Sequence, residues 1–242
     1  MPSRLRPTAP LAADAILVGD PGRALLLAQE LLEEPKMSNH ARGLWGYTGK
    51  TAGSRVDHRK RGSTRQPSAE EGRELTIQST GMGGPSAALV LTDLAELGVR
   101  RAVRVGTCAA PGGGAGPGEL LVVAEAIAAG GSAEAYGARV GAAVAPNAAL
   151  TAALAAALDG EARAVTAASF DSHPATAELP DGIVVADMQT APLLASAAAL
   201  GIRAAAVLVV AEGAPGGEQI GQERLEAAAK RAGRAALAAL SP

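Results

Sequence analysis

The chain has 242 residues, 48% of them hydrophobic, and a net charge of −2. This describes a soluble globular protein with no general electrostatic attraction to nucleic acid or an anionic membrane. A single cysteine, Cys108, excludes an internal disulfide and fits a reducing compartment.

The N-terminus carries Arg4 and Arg6 with no continuous apolar segment behind them, so no signal peptide is expected. The longest apolar run, Ala204 to Ala211, is too short to cross a bilayer. A cytoplasmic location is the expectation.

In chain order, "AILVG" (Ala15 to Gly19) reads as a short buried strand. "DPGRALLLAQELLEE" then predicts a helix with Asp20 as N-cap and Pro21 in the first helical position. "ELTIQST" (Glu74 to Thr80) alternates like a strand, and Pro85 opens a helix that Gly98 stops. The strand containing Arg104 follows, then a glycine-rich loop and the strand "ELLVVAEAIA". A helix from Asn147 to Leu158 and strands near Arg163 to Ser169 and Gly182 to Asp187 come next. Beyond them lie a helix from Gln189 to Leu200, a strand from Arg203 to Val210, and a closing helix from Gln222 to Leu240. That last helix presents Leu225, Ala229, Ala232, Ala236 and Leu240 on one face and a Glu226–Lys230 pair outside.

This alternation predicts an α/β protein of one domain, 1–242, with a mixed, mainly parallel central sheet flanked by helices. Ser54 to Arg73 stands apart as a polar insertion, first basic and then acidic, and reads as a solvated, mobile loop.

Several motifs fail. "GLWGYTGKT" (Gly43 to Thr51) would need glycine at position 44 to be a P-loop, and Leu44 stands there. "TGMGGPS" has Ser86 in place of the last glycine of a dinucleotide fingerprint. His40, His58 and His173 are too dispersed for a metal site, so none is expected, and Cys108 reads as a buried thiol.

Two arginines beside strand ends remain. Arg23 lies in the first turn of a helix, where free N–H groups and the dipole favour an anion. Arg104 is expected to end its strand beside Gly106 and Thr107, which would add a small turn and a hydroxyl donor. Together they suit the tetrahedral oxygens of phosphate. The alternative, in which each arginine pairs with a buried carboxylate, stands equally open on the residues alone.

"GDPGRA", "RGLWGYTG", "STGMGGPS", "RVGTCAA" and "VVADMQTA" occur in the order and spacing of a known family. The chain resembles the trimeric-to-hexameric nucleoside phosphorylases that include bacterial purine nucleoside phosphorylase and uridine phosphorylase. The resemblance implies phosphate-dependent cleavage of a purine or pyrimidine nucleoside to free base and pentose 1-phosphate. Phosphate would be a co-substrate and no cofactor would be needed. It makes Gly19, Arg23, Arg104 and Thr107 the phosphate site, completed by Arg42 from a neighbouring subunit. A homodimer is then the minimum unit, assembling further to a homohexamer. Met82, Asp187, Met188 and Gln189 would line the nucleoside, with Phe170 and His173 beside the base. Glu212 would be the acid that protonates a purine leaving group, and Arg104 would assist at the reacting phosphate.

The match is uneven. Gln189 stands where the family has a ribose-binding glutamate, Asp187 replaces another glutamate, and Pro192 replaces a small glycine. The phosphate half is intact and the nucleoside half altered. Besides an active phosphorylase, a related hydrolase and a member that binds phosphate or a nucleotide without turnover remain open.

Overall fold

The computed structural model describes residues 4–51, 72–173, 178–214 and 216–241. Ten strands form one sheet that closes partly on itself. The strands are β1 (Asp14–Val18), β2 (Leu32–Asn39), β3 (Gly46–Thr51), β4 (Glu74–Ser79), β5 (Arg101–Ala109), β6 (Leu120–Ala128), β7 (Ala143–Val144), β8 (Ala162–Ser169), β9 (Val185–Asp187) and β10 (Arg203–Glu212). The helices are α1 (Pro21–Leu31), α2 (Gly84–Glu96), α3 (Ala148–Ala157), α4 (Thr190–Ala199) and α5 (Gln222–Ala239).

β5 pairs in parallel with both β1 and β10, and β1 pairs in parallel with β4. From β5 the ladder also runs through β9, β8, β6 and β10 and returns to β5, a closed ring of five strands. The longest ladders are parallel, and the antiparallel ones lie at the β2–β3–β4 meander, at the ring closures and where β7 pairs with β6. This is the expected α/β architecture with a mixed, mainly parallel sheet.

Side-chain alternation along the strands divides the core. Ile16, Val18, Val103 and Val105 pack with α1, α3 and α5. Ala15, Leu17, Ala102 and Cys108 pack with α2 and α4. Period-2 alternation places Arg104 on the second face, where a core residue would stand.

Two expectations are corrected, and a stretch left unassigned proves to contain a strand. The first helix ends at Leu31, not at Glu34: residues 32–39 form β2, and Leu32 pairs with Thr51. Pro35 is the physical cause, since it disfavours helix at the preceding residue, and Glu34 takes φ 44°. The segment rejected as a P-loop is strand β3, disguised by Gly46 and Gly49. Lys230 reaches Glu30 on α1 at 3.5 Å, while Glu226 accepts from Gln222, so the outer pair of α5 gives way to a tie between helices.

The polar insertion at 54–73 lies outside the described residues except for Gly72 and Arg73. Arg73 and Arg101 both bond Asp14 and the last carbonyls of α5, at Leu237 and Leu240. Cations at a helix C-terminus complement its dipole and its unpaired carbonyls, so this cluster anchors α5 against β1 and β5.

Candidate active site

The carboxyl ends of β1, β4, β5 and β9 converge, as expected for ligand sites in parallel α/β sheets. Arg104 is 4% exposed and lies within β5, not at its end. Gly106 makes no turn; it is a strand residue over which the guanidinium folds. A Cβ built there would stand 2.6 Å from Arg104 Cζ and Nη2 and 2.8 Å from Leu208 Cδ2.

Arg104 Nη2 donates to Asp187 Oδ2 at 2.8 Å, Nη1 to Gln189 Oε1 at 2.7 Å, and Nε to Thr190 Oγ1 at 3.2 Å. A guanidinium has five N–H donors, so two remain. Asp187 is just as closely held. It accepts from Ser169 Oγ at 2.6 Å, Thr190 Oγ1 at 2.6 Å, and the Thr190 backbone N–H at 3.0 Å.

These bonds also begin α4. Asp187 takes the N–H of Thr190, Ser169 Oγ takes that of Ala191 at 2.8 Å, and Pro192 has none to place. The helix dipole further favours the Asp187 carboxylate. Pro192 therefore fits a helix start whose donors are already satisfied.

Gln189 is buried beside Gly19, where a built Cβ would lie 3.7 Å from Gln189 Oε1. Its Nε2 donates to Gly81 O at 2.6 Å, and its Oε1 accepts from Thr80 Oγ1 at 3.3 Å. Gly81–Gly83 carries Met82, which is 89% exposed at the surface of this loop. Met188 is half-buried between Asp187 and Gln189.

Arg23 stands at the start of α1, where Asp20 accepts its backbone N–H at 2.7 Å. Among the described residues its guanidinium has no hydrogen bond or ion pair. Burial pulls its pKa below the ordinary arginine value; Asp20 opposes this and the neighbouring charge of Arg104 adds to it. Arg23 also lines a cleft of about 480 Å³ between α1 and α5. Thr107 is half-buried farther along β5, opposite Val209. Arg42 is exposed in a short turn, Ala41–Gly43, with φ 59°.

A second group lies at the ends of β8 and β10. Glu212 is the last residue of β10, and its Oε1 is 3.7 Å from His173 Nε2. Phe170 is half-buried, its backbone N–H bonded to Asp187 O at 2.9 Å. The two groups are thus linked through β9.

The sequence reading missed Thr80, Ser169 and Thr190, whose hydroxyls complete the buried network. A readable signal existed for one of them: Asp187 three residues before Thr190 is the spacing of a cap at a helix start. A cavity of about 1640 Å³ lies between residues 8–12 and the β2–β3 hairpin and includes none of the candidate residues. Its open, mixed polar and apolar lining gives volume without convergent chemistry, so the strand ends remain the candidate site. Among the described residues no group of His, Cys, Asp or Glu could hold a metal ion, and no helix is long and apolar enough to cross a membrane.

The model of the phosphorylase superfamily matches residues 14–241. The chain belongs to the phosphorylase superfamily. It is similar to a purine nucleoside phosphorylase DeoD-type of Oceanobacillus iheyensis, 40% identical over 100 residues, which cover 40% of this chain and 34% of the relative. Proteins of the same name from Caldanaerobacter subterraneus subsp. tengcongensis and Clostridium novyi are 35% and 36% identical, each over 99 residues, again 40% of this chain and 34% of the relative. The matched stretch is thus about a third of the length of these curated relatives.

Proposed function

We propose that the protein is a nucleoside phosphorylase, a pentosyltransferase that uses inorganic phosphate to cleave the N-glycosidic bond of a nucleoside. The observation that carries this is Arg23: a half-buried guanidinium in the first turn of α1, with no hydrogen bond or ion pair among the described residues and with Arg104 as a charged neighbour. A ligand anion seated there would pair the guanidinium and offset the mutual repulsion of the two arginines. Membership of the superfamily and the relatives' names support the same reading.

In this reading phosphate sits between Arg23, Thr107, the Gly19 backbone and the two remaining Arg104 N–H groups. A phosphate oxygen attacks the anomeric carbon as the bond to the base nitrogen breaks and its electron pair moves into the base. The proton of hydrogen phosphate is matched by one gained at the base, which Glu212 relays to a purine. Positioned positive charge holds the dianion against an oxocarbenium-like sugar. Arg42 completes the phosphate contacts from a neighbouring subunit, so the active unit is at least a homodimer, and a cytoplasmic salvage role follows.

The test is cleavage of a nucleoside panel (adenosine, inosine, guanosine, uridine, thymidine and 5′-methylthioadenosine) with and without phosphate. Base and pentose 1-phosphate should form only with phosphate. Base release at equal rate without it would overturn the reading in favour of a hydrolase. A second reading, binding without turnover, draws on one observation: Asp187 and Gln189 already occupy three N–H groups of Arg104 together with Thr190. Tight phosphate binding by folded protein that cleaves no nucleoside would select it.

A further inference from the structure

Gln189 makes four hydrogen bonds through its side chain. Oε1 accepts from Arg104 Nη1 at 2.7 Å and from Thr80 Oγ1 at 3.3 Å. Nε2 donates to Gly81 O at 2.6 Å and to Gly83 O at 3.2 Å. Both N–H donors of the amide are thus used, and its oxygen holds Arg104 with the Thr80 hydroxyl beside it; that hydroxyl has one proton and lies nearer to Val18 O, at 3.1 Å. With both donors used, its oxygen on Arg104 and only 4% exposure, the side chain is turned into the protein and away from a ligand hydroxyl.

The partners belong to separate parts of the fold. Arg104 is on β5, Thr80 and the Gly81–Gly83 turn follow β4, and Gln189 itself precedes α4. A glutamate could not make the same connection. Both its oxygens accept, so one would face the carbonyl oxygens of Gly81 and Gly83 with no proton between them. Glutamine alone among side chains of this length can accept from a guanidinium at one atom while donating twice at the other.

We infer that Gln189 is a positioning residue that fixes the Arg104 guanidinium and the Gly81–Gly83 turn in one geometry, and that it does not bind the sugar. The site therefore does not use residue 189 to distinguish a ribonucleoside from its 2′-deoxy counterpart. This last consequence rests on the proposed phosphorolysis; the positioning role does not.

The two are tested apart. Hydrogen exchange of Gln189→Glu and Gln189→Met, each verified as folded by thermal melting, should show amides of residues 80–84 exchanging about tenfold faster than in the wild type, as expected for lost buried hydrogen bonds. Amides in α3 and α5 should be unaffected. Unchanged exchange at 80–84 would overturn the positioning role, whatever the protein catalyses. Calorimetry with inorganic phosphate should show about tenfold weaker binding in Gln189→Glu, because a new carboxylate competes for Arg104. If phosphorolysis occurs, the wild type should cleave inosine and 2′-deoxyinosine with kcat/KM within about threefold, and Gln189→Glu should leave that ratio alone. A wild-type ribonucleoside preference above about tenfold would overturn the inference. So would a Gln189→Glu ratio shifted by that much with phosphate KM unchanged. The wild-type comparison stands even if neither variant folds.

Discussion

Arg104 Nη2 and Asp187 Oδ2 meet at 2.8 Å, with both side chains almost fully removed from solvent. The same carboxylate accepts the first N–H of α4 and two hydroxyls, so one residue neutralises the arginine and starts the helix that covers it. Removing one partner of a buried pair leaves an uncompensated charge, which costs about 3–5 kcal/mol. Asp187→Asn should therefore lower unfolding stability by about 3 kcal/mol in urea titrations. Added phosphate should raise its Tm more than that of the wild type, because the ligand replaces the lost anion. An equal phosphate shift in both would show that the freed guanidinium does not face the phosphate.

Gly106 is constrained by the same arginine. A methyl group at this position would enter both the Arg104 guanidinium and Leu208. Overpacking of this kind costs about 1–3 kcal/mol. Gly106→Ala should lose stability in that range and bind phosphate at least about tenfold more weakly, since it displaces the donors themselves. Normal phosphate affinity in calorimetry would show that Arg104 is not a phosphate ligand.

Much of this was legible in the residues. The capped start at Asp20 and Pro21, the apolar strands and the glycine stop after α2 follow from local rules, because each signal is confined to a few neighbouring residues. β2 and β3 were not legible, since Pro35, Gly46 and Gly49 punctuate them like loops and only the pairing of β3 with β4 and of β2 with β3 makes them strands. For Arg104 the two readings left open, a ligand anion or a buried carboxylate, could not be separated from sequence. Its partner Asp187 is 83 residues away, and only the closure of the sheet between β5 and β9 brings them together. The hydroxyls of Thr80 and Ser169 were missed for the same reason, since their partners come from other elements, whereas Thr190 lies three residues from Asp187 and carried a local signal.

Cys108 gives a prediction in alkaline solution. Burial, first, and the nearby Asp187 carboxylate push its thiol well above the usual value, with Arg104 opposing. Below about pH 8.5 both native and unfolded thiols are protonated, and Cys108 adds no pH dependence. Above it the unfolded thiol ionises while the native one retains its proton. The unfolded state then binds fewer protons, and stability falls with pH by about 1.4 kcal/mol per unit from this residue. Urea titrations between pH 8 and 10 should show a shallower decline in Cys108→Ala than in the wild type. Parallel declines would mean that the thiol ionises without unfolding.

Arg42 is exposed, has a left-handed backbone and bonds to no described side chain, so its removal should cost little stability. Arg42→Ala should leave Tm within about 1–2 °C of the wild type, as for a neutral surface change, while raising phosphate KM. Mixing it with Arg23→Ala should regenerate some fully equipped sites if Arg42 serves a neighbouring subunit. Recovery of activity in the re-assembled mixture, absent from either variant alone, is the expected result. No recovery from mixtures shown to exchange subunits would confine Arg42 to its own chain.

Glu212 and His173 lie on the base side of the proposed site, their side chains 3.7 Å apart. A carboxylic acid that protonates the departing base contributes about 10²–10⁴-fold in rate. Glu212→Gln keeps the shape and an acceptor oxygen but removes the titrating proton. It should lower kcat for a purine nucleoside by at least about 10²-fold, with phosphate affinity unchanged, because the Arg23–Arg104 region is separate. His173→Ala should have the smaller effect, since its Nε2 lies 3.7 Å from Glu212 and His173 supplies no proton to the base in this reading. If Glu212→Gln cleaves purine nucleosides at the wild-type rate, the proton comes from another group, and the acidic end of β10 serves only to hold His173 in place.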